Sequence, residues 1–371
     1  MQMKILVTGS KGFIAKNLLS ELKSRGFSDI FEFSRETDVK LLHEYCKEAD
    51  FVYHLAGVNR PKNQSEFMDV NYGFTSILLD TLKKYKNTCP VMIASSIQAE
   101  QNNAYGISKK AGEDLLFEYS KKTGAKVLVY RLPNVFGKWS RPNYNSVVAT
   151  FCYNIANDLP ITVDDPSYDM KLVYIDDVVE ELLQALNGNE TVMQDYCEVP
   201  IVHATTLAEI IELIYFFKKS REERSIPNMS HAFTKKLYST FLSFLRENQF
   251  SYDLKMHVDQ RGSFTEFIKT PDRGQVSVNI LKPGVTKGNH WHHTKNEKFL
   301  VVSGQGVIRF RNIDSNEVVE YFVSGDKLSV VDIPVGYTHN IQNLGNTQMV
   351  IIMWVNEIFD PKKPDTIFLE V

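Results

Sequence analysis

The hydrophobic pattern of this 371-residue chain changes once, near residue 246, and this change constrains the fold more than any other feature. Before it, short apolar runs alternate with helix-type stretches, which predicts a doubly wound α/β fold with a parallel sheet between two helical layers. After it, apolar runs follow one another closely without helical stretches, which predicts an all-β sandwich or barrel. We therefore expect two domains, residues 1–245 and residues 246–371.

The composition favours a cytoplasmic protein that acts on small molecules. Acidic and basic residues are interspersed and nearly balanced, with a net charge of −3, so no nucleic-acid or membrane surface is indicated. The four cysteines are far apart and form no CxxC pair, which is typical of a reduced compartment. No apolar run reaches the roughly 18 residues of a membrane helix, and no signal peptide precedes the first strand-like run.

A glycine turn near the start of the chain predicts a dinucleotide site. The apolar run Ile5–Val7 is followed by Gly9, Gly12 and Ala15 and then by helix-type spacing. Gly9 permits a tight turn, and Gly12 lets the backbone approach a pyrophosphate at the helix N-terminus, where free N–H groups favour anions. The same pattern also fits an ordinary connection between a strand and a helix.

A second group of residues carries proton-transfer chemistry. Tyr105 and Lys109 are four positions apart and share one face of a predicted helix. The lysine ammonium is expected to lower the pKa of the phenol, although such a pair is also common on a solvated helix face. Ser95 and Ser96 end the apolar run "VMIASS", where a hydroxyl is available to a substrate carbonyl.

Seven motifs in order over residues 1 to about 240 resemble the extended short-chain dehydrogenase/reductase family: "TGSKGFIA", "VYHLAG", "VNYGFTSILLD", "ASS", "YGISK", "RLPNVFG" and "LVYIDDVVEELL". The resemblance implies a Rossmann-type fold that acts on nucleotide sugars. It further implies that Ser96 is the catalytic hydroxyl, with Ser95 as a competitor, and that Tyr105 is the general acid. Lys109 would hold the cofactor ribose and tune the tyrosine, and Asn134 would contact the substrate.

Two departures from the family pattern bear on the reaction. Tyr105 follows Ser96 by only nine positions, where the family has a longer loop that helps to close over the sugar. Ile97 and Gln98 stand where the dehydratases of the family have an acidic pair. We therefore expect reduction of a carbonyl, or its reverse, rather than dehydration.

The end of the second apolar run, "IFEFSRETD", indicates which nicotinamide cofactor binds. A carboxylate at this position pairs with the ribose of NAD, whereas an arginine accommodates the 2′-phosphate of NADP. Ser34 and Arg35 stand there, and Glu32 lies too early, inside the predicted strand. This favours NADP, unless Arg35 is only a surface charge.

The stretch "GVTKGNHWHHTKNEKFLVVSG" predicts a metal site in the second domain. His290 and His292 alternate on a strand and face the same side, and Glu297 and His339 from other strands can converge on them. Three imidazoles and a carboxylate suit Zn²⁺, with iron, manganese and nickel as alternatives. His293 is expected to face outward.

The spacing Gly284, His290, His292, Glu297, Gly304 resembles the first signature of the cupin family, and Pro334, Gly336, His339, Asn343 resemble the second. The leading glycine of the second signature is displaced, since Gly325 comes nine residues before Pro334. The likeness covers about residues 255–360 and implies a cupin barrel. Some cupins lack the metal, and in others the ion is purely structural.

The stretch "VDQRGSFTEF" resembles the segment with which the 3,5-epimerase cupins of sugar nucleotides hold the nucleotide phosphates. The resemblance implies that Arg261 and Glu266 bind substrate. Those epimerases work without a metal, so the base in this chain stays open: Tyr337, Lys287 and a metal-bound hydroxide are the candidates.

The order of reductase and cupin resembles, over the whole chain, the bifunctional CapF family of capsule-biosynthesis enzymes. That family implies epimerisation at C3 of a UDP-2-acetamido-2,6-dideoxy-hexos-4-ulose and reduction of its C4 ketone with NADPH. The product is UDP-2-acetamido-2,6-dideoxy-L-talose, a precursor of N-acetylfucosamine. The alternatives are a single-activity reductase or 4-epimerase with a non-catalytic cupin, and a regulatory sugar sensor. Both component families commonly form homodimers.

Overall fold

The computed structural model describes residues 3–371 and divides them into two compact units. The first unit contains the residues through Tyr215 together with Ser230–Arg246. The second contains Phe216–Met229 and Glu247–Val371. Each unit has its own hydrophobic core.

The segment Phe216–Met229 belongs to the second unit, although it lies within the first of the two expected domains. The main-chain N–H of Lys269 donates a hydrogen bond to the carbonyl of Arg224 (2.9 Å). The guanidinium of Arg224 forms an ion pair with Glu266 (2.8 Å), and both side chains are mostly buried. The hydrophobic pattern of the segment does not predict these contacts, because they are polar and join residues that are far apart in the sequence.

The first unit is built around a parallel sheet. The strands are, in chain order, β1 (Ile5–Thr8), β2 (Ile30–Phe33), β3 (Phe51–His54), β4 (Val91–Ser96), β5 (Val127–Leu132), β6 (Asn134–Phe136), β7 (Asp169–Tyr174), β8 (Val192–Met193), β9 (Tyr196–Cys197) and β10 (His203–Thr206). The main sheet has the order β2-β1-β3-β4-β5-β9-β8, and all its pairs are parallel except β8 with β9. A smaller sheet has the order β10-β7-β6.

Helices cover both faces of the main sheet because its strands are apolar on both sides. The α-helices of the chain are α1 (Phe13–Ser24), α2 (Val39–Glu48), α3 (Ser65–Met68), α4 (Thr75–Lys84), α5 (Ala104–Thr123), α6 (Val147–Ala156), α7 (Ile175–Leu186), α8 (Leu207–Glu223) and α9 (Ala232–Leu242). Leu18 of α1 and Leu182 of α7 pack into one core. Leu42 of α2, Leu78 of α4 and Leu116 of α5 pack into the other.

The second unit is a barrel-like pair of antiparallel sheets. The strands are β11 (Met256–Asp259), β12 (Gly262–Thr270), β13 (Gly274–Leu281), β14 (Thr286–Trp291), β15 (Glu297–Ser303), β16 (Gln305–Asn312), β17 (Val318–Ser324), β18 (Val330–Ile333), β19 (Tyr337–Asn343), β20 (Met349–Val355) and β21 (Ile367–Phe368). One sheet has the order β11-β12-β13-β20-β15-β18, and the other has the order β17-β16-β19-β14-β21. Alternate side chains of both sheets form the core, among them Leu281, Phe299, Ile308, Ile341 and Ile351.

This architecture confirms the predicted fold class, a doubly wound parallel sheet of Rossmann type followed by an all-β cupin barrel. The alternation of burial along β13, where every second residue from Val276 onward is only partly buried, is the period-2 pattern of a strand with one face in a core. Within residues 3–371, no helix combines the length and the apolar character that crossing a membrane requires.

Candidate functional site

The glycine turn of the first unit has the geometry that a dinucleotide needs. Gly9 has φ +69°, and a Cβ at this position would lie 2.6 Å from the main-chain nitrogen of Ala56. Gly12 precedes α1, and the first turn of that helix carries neither a side-chain cap nor an acidic residue. The free N–H groups of α1 are therefore available to an anion, so the turn fits a pyrophosphate.

The end of β2 places Ser34 and Arg35 near this turn. The main-chain N–H of Ser10 donates to the carbonyl of Phe33 (3.2 Å), which joins the turn to the end of the strand. Ser34 forms a local turn with Thr37, and Arg35 is exposed. Glu32 pairs with Lys23 in an exposed ion pair on the strand itself, so it does not stand at the strand end.

The two serines at the end of β4 have different partners. The hydroxyl of Ser95 donates to Glu113 (2.6 Å), a fully buried carboxylate that Arg131 also binds (2.7 Å). The hydroxyl of Ser96 instead accepts from the N–H of Gln98 (3.2 Å) and lies close enough to Tyr105 to lower the pKa of its phenol. Because Ser95 is occupied by the Glu113 carboxylate, this geometry favours Ser96 over Ser95 as the hydroxyl beside Tyr105.

Lys109 is buried next to Tyr105 on α5. Its Nζ donates to the carbonyl of Ala94 (2.9 Å) and lies 5.9 Å from the centroid of the Tyr105 ring. Burial lowers the pKa of Lys109 to about 8, against the opposing effect of Glu113. A Cβ added to Gly57 would lie 3.1 Å from this Nζ, so the absence of a side chain there keeps space beside the lysine.

The pKa of Tyr105 differs from the expectation that Lys109 lowers it. Burial raises the pKa of Tyr105, and only its hydrogen bond with Ser96 lowers it. Desolvation of the phenol is stronger here than attraction by an ammonium that lies beside the ring. In this structure Tyr105 is therefore held in its protonated form, which is the form that a proton donor requires.

The backbone of Asn134 follows the strand that pairs with the end of β4, where Ser96 lies. It begins β6, two positions after Leu132, and Leu132 pairs with Ser96 across the main sheet. The side chain of Asn134 is exposed. Its expected contact with the substrate stays a prediction.

Four side chains of the second unit form a compact donor cluster. His290 on β14 pairs directly with His339 on β19, Glu297 begins β15, and His292 follows β14. One donor atom from each of the four lies within 4.8 Å of the others. His293 is exposed, as expected.

The cluster is largely buried, and three of its four residues have a donor atom without a hydrogen-bond partner. Nε2 of His339 lies 3.2 Å and Nε2 of His292 lies 3.7 Å from Oε2 of Glu297. All three atoms nevertheless lack a partner in hydrogen-bond geometry. Burial alone would raise the pKa of Glu297, but the two imidazoles beside it lower that pKa to about 2. Burial also lowers the pKa of His290 to about 4.

Unsatisfied buried donors and acceptors are costly, so their convergence needs a compensating partner. Three imidazoles and one carboxylate are a donor set that Zn²⁺ accepts. The four residues therefore fit a divalent metal ion.

The cluster opens into a cavity of about 680 Å³. Its polar lining includes Asp259, Arg261, Asn279 and Lys287. Lys287 donates to Asn279 (2.7 Å), and burial lowers its pKa. Among the proposed bases, Lys287 thus lies in the cavity, whereas Tyr337 packs against the apolar core.

The two predicted substrate residues of this unit occupy different places. Arg261 lines the cavity and forms an exposed ion pair with Asp259 (2.7 Å). Glu266 is engaged by Arg224 instead. The sequence did not predict one contact of the donor cluster. Nδ1 of His292 is hydrogen-bonded to the main-chain carbonyl of Asp365 (2.5 Å). No regular pattern in the C-terminal residues signals it.

Two families match the chain in the order of its two folds. Residues 5–196 match the NAD dependent epimerase/dehydratase family. Residues 257–367 match the polysaccharide biosynthesis C-terminal domain.

Two of the similar proteins cover all or nearly all of the chain. UDP-2-acetamido-2,6-beta-L-arabino-hexul-4-ose reductase from Pseudomonas aeruginosa is 44% identical over 367 residues, which is 98% of each chain. The crystal structure of the capsular polysaccharide assembling protein CapF from Staphylococcus aureus is 57% identical, with a TM-score of 0.95 over 100% of both chains. A UDP-glucuronic acid 4-epimerase from Bacillus cereus in complex with NAD is 20% identical, with a TM-score of 0.52 over 58% of this chain and 83% of its own. That last likeness shows the fold alone.

The buried Lys109 predicts how the stability of the first unit depends on pH. Its pKa is about 8 in the folded chain and 10.5 in its ordinary state, so between these values the folded chain has lost a proton that the unfolded chain retains. Rising pH therefore favours folding in this window, by up to about 1.4 kcal/mol per pH unit. Native-state hydrogen exchange in β4 should show wild type gaining stability over Lys109→Met between pH 8 and pH 10.

The matched control is Lys110→Met, because Lys110 is on the same helix but partly exposed. Its stability relative to wild type should stay nearly constant over the same pH range. A pH-independent difference between wild type and Lys109→Met would contradict the desolvation of Lys109.

Proposed function

This chain belongs to the NAD dependent epimerase/dehydratase family and to the CapF family, and from that premise we propose that it is a bifunctional sugar-nucleotide enzyme. Its cupin unit epimerises C3 of a UDP-2-acetamido-2,6-dideoxy-hexos-4-ulose. Its Rossmann unit then reduces the C4 ketone with NADPH and gives UDP-2-acetamido-2,6-dideoxy-L-talose for capsular polysaccharide. The observation that carries the reductase half is full-length similarity to a UDP-sugar hexul-4-ose reductase, together with the placement of Ser96 and Lys109 beside Tyr105.

Reduction of the ketone needs a proton as well as a hydride. NADPH, when bound, supplies the hydride to C4. Tyr105 donates its phenolic proton to the oxygen that becomes the C4 hydroxyl, and Ser96 hydrogen-bonds the same oxygen and orients it. Burial keeps Tyr105 protonated until that oxygen accumulates charge. Lys109, still mostly protonated at pH 7, places a positive charge beside the phenolate that forms.

Epimerisation depends on the same ketone, because a carbonyl at C4 acidifies the proton at C3. His290, His292, Glu297 and His339 would hold a divalent ion, with Zn²⁺ as the favoured one. Such an ion, when bound, acts as a Lewis acid and polarises a sugar carbonyl. Lys287 lies in the cavity with a pKa lowered by burial, so it is proposed to remove the C3 proton. Solvent in the cavity is proposed to return a proton from the opposite face, which inverts C3.

Arg261, on the cavity wall, is proposed to bind the nucleotide phosphates, and Glu266, which forms an ion pair with Arg224, is proposed to bind substrate. Asn134 is proposed to contact the sugar in the Rossmann unit, and Gly9 and Gly12 are proposed to bind the cofactor pyrophosphate. The two proposed domains are the reductase of residues 1–245 and the epimerase of residues 246–371. A cytoplasmic homodimer is the proposed assembly, and sedimentation of the purified chain decides between one copy and two.

Tyr105→Phe separates the two proposed activities. The variant should lose NADPH oxidation by at least about 100-fold, because the ketone oxygen no longer receives a proton. Proton exchange at C3 of the 4-keto sugar in D₂O, followed by NMR, should continue at the wild-type rate, because it needs no hydride. The control is Tyr215→Phe, which removes a hydroxyl from an exposed tyrosine of the same unit.

Loss of C3 exchange in folded Tyr105→Phe would contradict two independent sites. Absence of C3 exchange in the wild type, with normal reduction, would instead favour a single-activity reductase whose cupin is not catalytic.

The cofactor preference is tested at Arg35, which is exposed at the end of β2, whereas the neighbouring carboxylate of Glu36 is held in an ion pair with Lys11. NADPH should support turnover at least tenfold better than NADH, a preference of about 1.4 kcal/mol. Arg35→Ala should reduce this ratio because the 2′-phosphate loses its positive partner. Arg25→Ala is the control, since Arg25 caps the opposite end of α1 from Gly12. Equal use of both cofactors by the wild type would overturn the NADP assignment.

A further inference from the structure

The C-terminal segment of the second unit is hydrogen-bonded to β14 and β19, the strands that carry His290 and His339 of the donor cluster. Ile367 and Phe368 form β21, which pairs with Trp291 and His290 of β14. The N–H of Leu369 donates to the carbonyl of Asn289 (3.0 Å), and the hydroxyl of Thr338 on β19 donates to the carbonyl of Leu369. The segment therefore closes the edge of the sheet beside His290 and His339.

Asp365 connects this segment to the loop after β14 through hydrogen bonds. Its carboxylate accepts from three successive main-chain N–H groups, those of His293 (3.0 Å), Thr294 (2.9 Å) and Lys295 (2.9 Å), and from the hydroxyl of Thr294 (3.1 Å). These bonds favour the ionised form and lower the pKa of Asp365, against the effect of burial. Asp365 has φ +39°, a left-handed conformation that few residues other than glycine, asparagine and aspartate adopt readily.

The main chain of Asp365 contacts the cluster directly. Nδ1 of His292 lies 2.5 Å from its carbonyl oxygen. A carbonyl can only accept a hydrogen bond, so Nδ1 carries the proton and Nε2 is left as the basic nitrogen. That Nε2 is the atom that lies 3.7 Å from Glu297 inside the cluster.

A buried lysine provides a second attachment between the same two segments. Lys295 is 6% exposed, and its Nζ donates to the carbonyl of Pro364 (2.6 Å). Lys295 follows His292 by three positions, and Pro364 precedes Asp365. These side-chain and main-chain contacts thus hold the carbonyl of Asp365 against the ring of His292.

We propose that Asp365 is a positioning residue for the metal site: its carboxylate anchors the loop of residues 293–295, and its carbonyl fixes the tautomer and the ring orientation of His292. This inference rests on the proposed metal site of the cupin unit. Partners that orient a ligating histidine typically change metal affinity by 10- to 100-fold when they are lost. Nothing in the spacing of the histidines requires an aspartate more than 70 residues away.

Asp365→Asn tests the role without removing the carbonyl or the tolerance for positive φ. The amide keeps one accepting oxygen but presents an NH₂ group to N–H donors, so the loop loses part of its anchor. The dissociation constant for Zn²⁺, measured by competition with a chromophoric chelator, should rise at least tenfold. The absorption spectrum of the Co²⁺-loaded variant should also change in the visible region, because the geometry of one ligand changes.

The control is Asp360→Asn, which removes an exposed carboxylate of the same segment that caps only its own turn. This control should bind Zn²⁺ as the wild type does. Zn²⁺ should raise the melting temperature of the wild type more than it raises that of Asp365→Asn, which separates weaker metal binding from a general loss of stability. Lys295→Met is the second variant, should Asp365→Asn fold poorly, and it should weaken Zn²⁺ at least threefold.

The outcomes distinguish this inference from the proposal on which it depends. A wild type that binds no Zn²⁺ would overturn the metal site itself. Normal Zn²⁺ binding by the wild type, with unchanged affinity and an unchanged Co²⁺ spectrum in Asp365→Asn, would overturn the role of Asp365 alone. If Asp365→Asn folds poorly, an unchanged Zn²⁺ affinity of Lys295→Met would also overturn the role of Asp365.

Discussion

Glu297 is a carboxylate buried beside three imidazoles, and the arrangement of the second unit depends on how its charge is stabilised. Taking a carboxylate out of water costs several kcal/mol unless nearby groups compensate. The pairing of β14 with β19 sets His290 opposite His339, and β15 brings Glu297 to the same place. The barrel also has an apolar core, which includes Phe299 and Ile341. A divalent cation would compensate the carboxylate and also engage the histidine nitrogens that have no hydrogen-bond partner.

Desolvation also determines the chemistry proposed for the first unit. Lys109 is buried with a lowered pKa, and Tyr105 beside it has a raised one. The phenol therefore keeps its proton until a substrate oxygen develops negative charge, and the lysine then stabilises the phenolate. The two proposed reactions are connected by one functional group. The C4 ketone makes the C3 proton acidic for the cupin unit, and its reduction ends that acidity and fixes the new stereochemistry.

Features that depend on local spacing could be predicted from the sequence. Gly9 and Gly12 precede a helix, Tyr105 and Lys109 share one, and His290, His292, Glu297 and His339 converge as their strand pattern indicates. Features that depend on burial or on distant contacts could not be predicted. The direction of the Tyr105 pKa shift reflects desolvation, which spacing does not reveal. Arg224 reaches Glu266 and Asp365 reaches His292 through tertiary packing, and neither residue lies in a periodic stretch.

We propose above all that the donor cluster of the cupin unit is a catalytic metal centre and not a purely structural metal site. The most direct test is deuterium incorporation at C3 of the 4-keto sugar in D₂O, without NADPH, in wild-type protein before metal removal, after chelation, and after Zn²⁺ is restored. Exchange should stop on chelation and return with Zn²⁺, while NADPH binding to the Rossmann unit should be unchanged throughout. Undiminished exchange after verified removal of the metal would contradict this proposal, because the residues of the cavity would then form the enolate unaided.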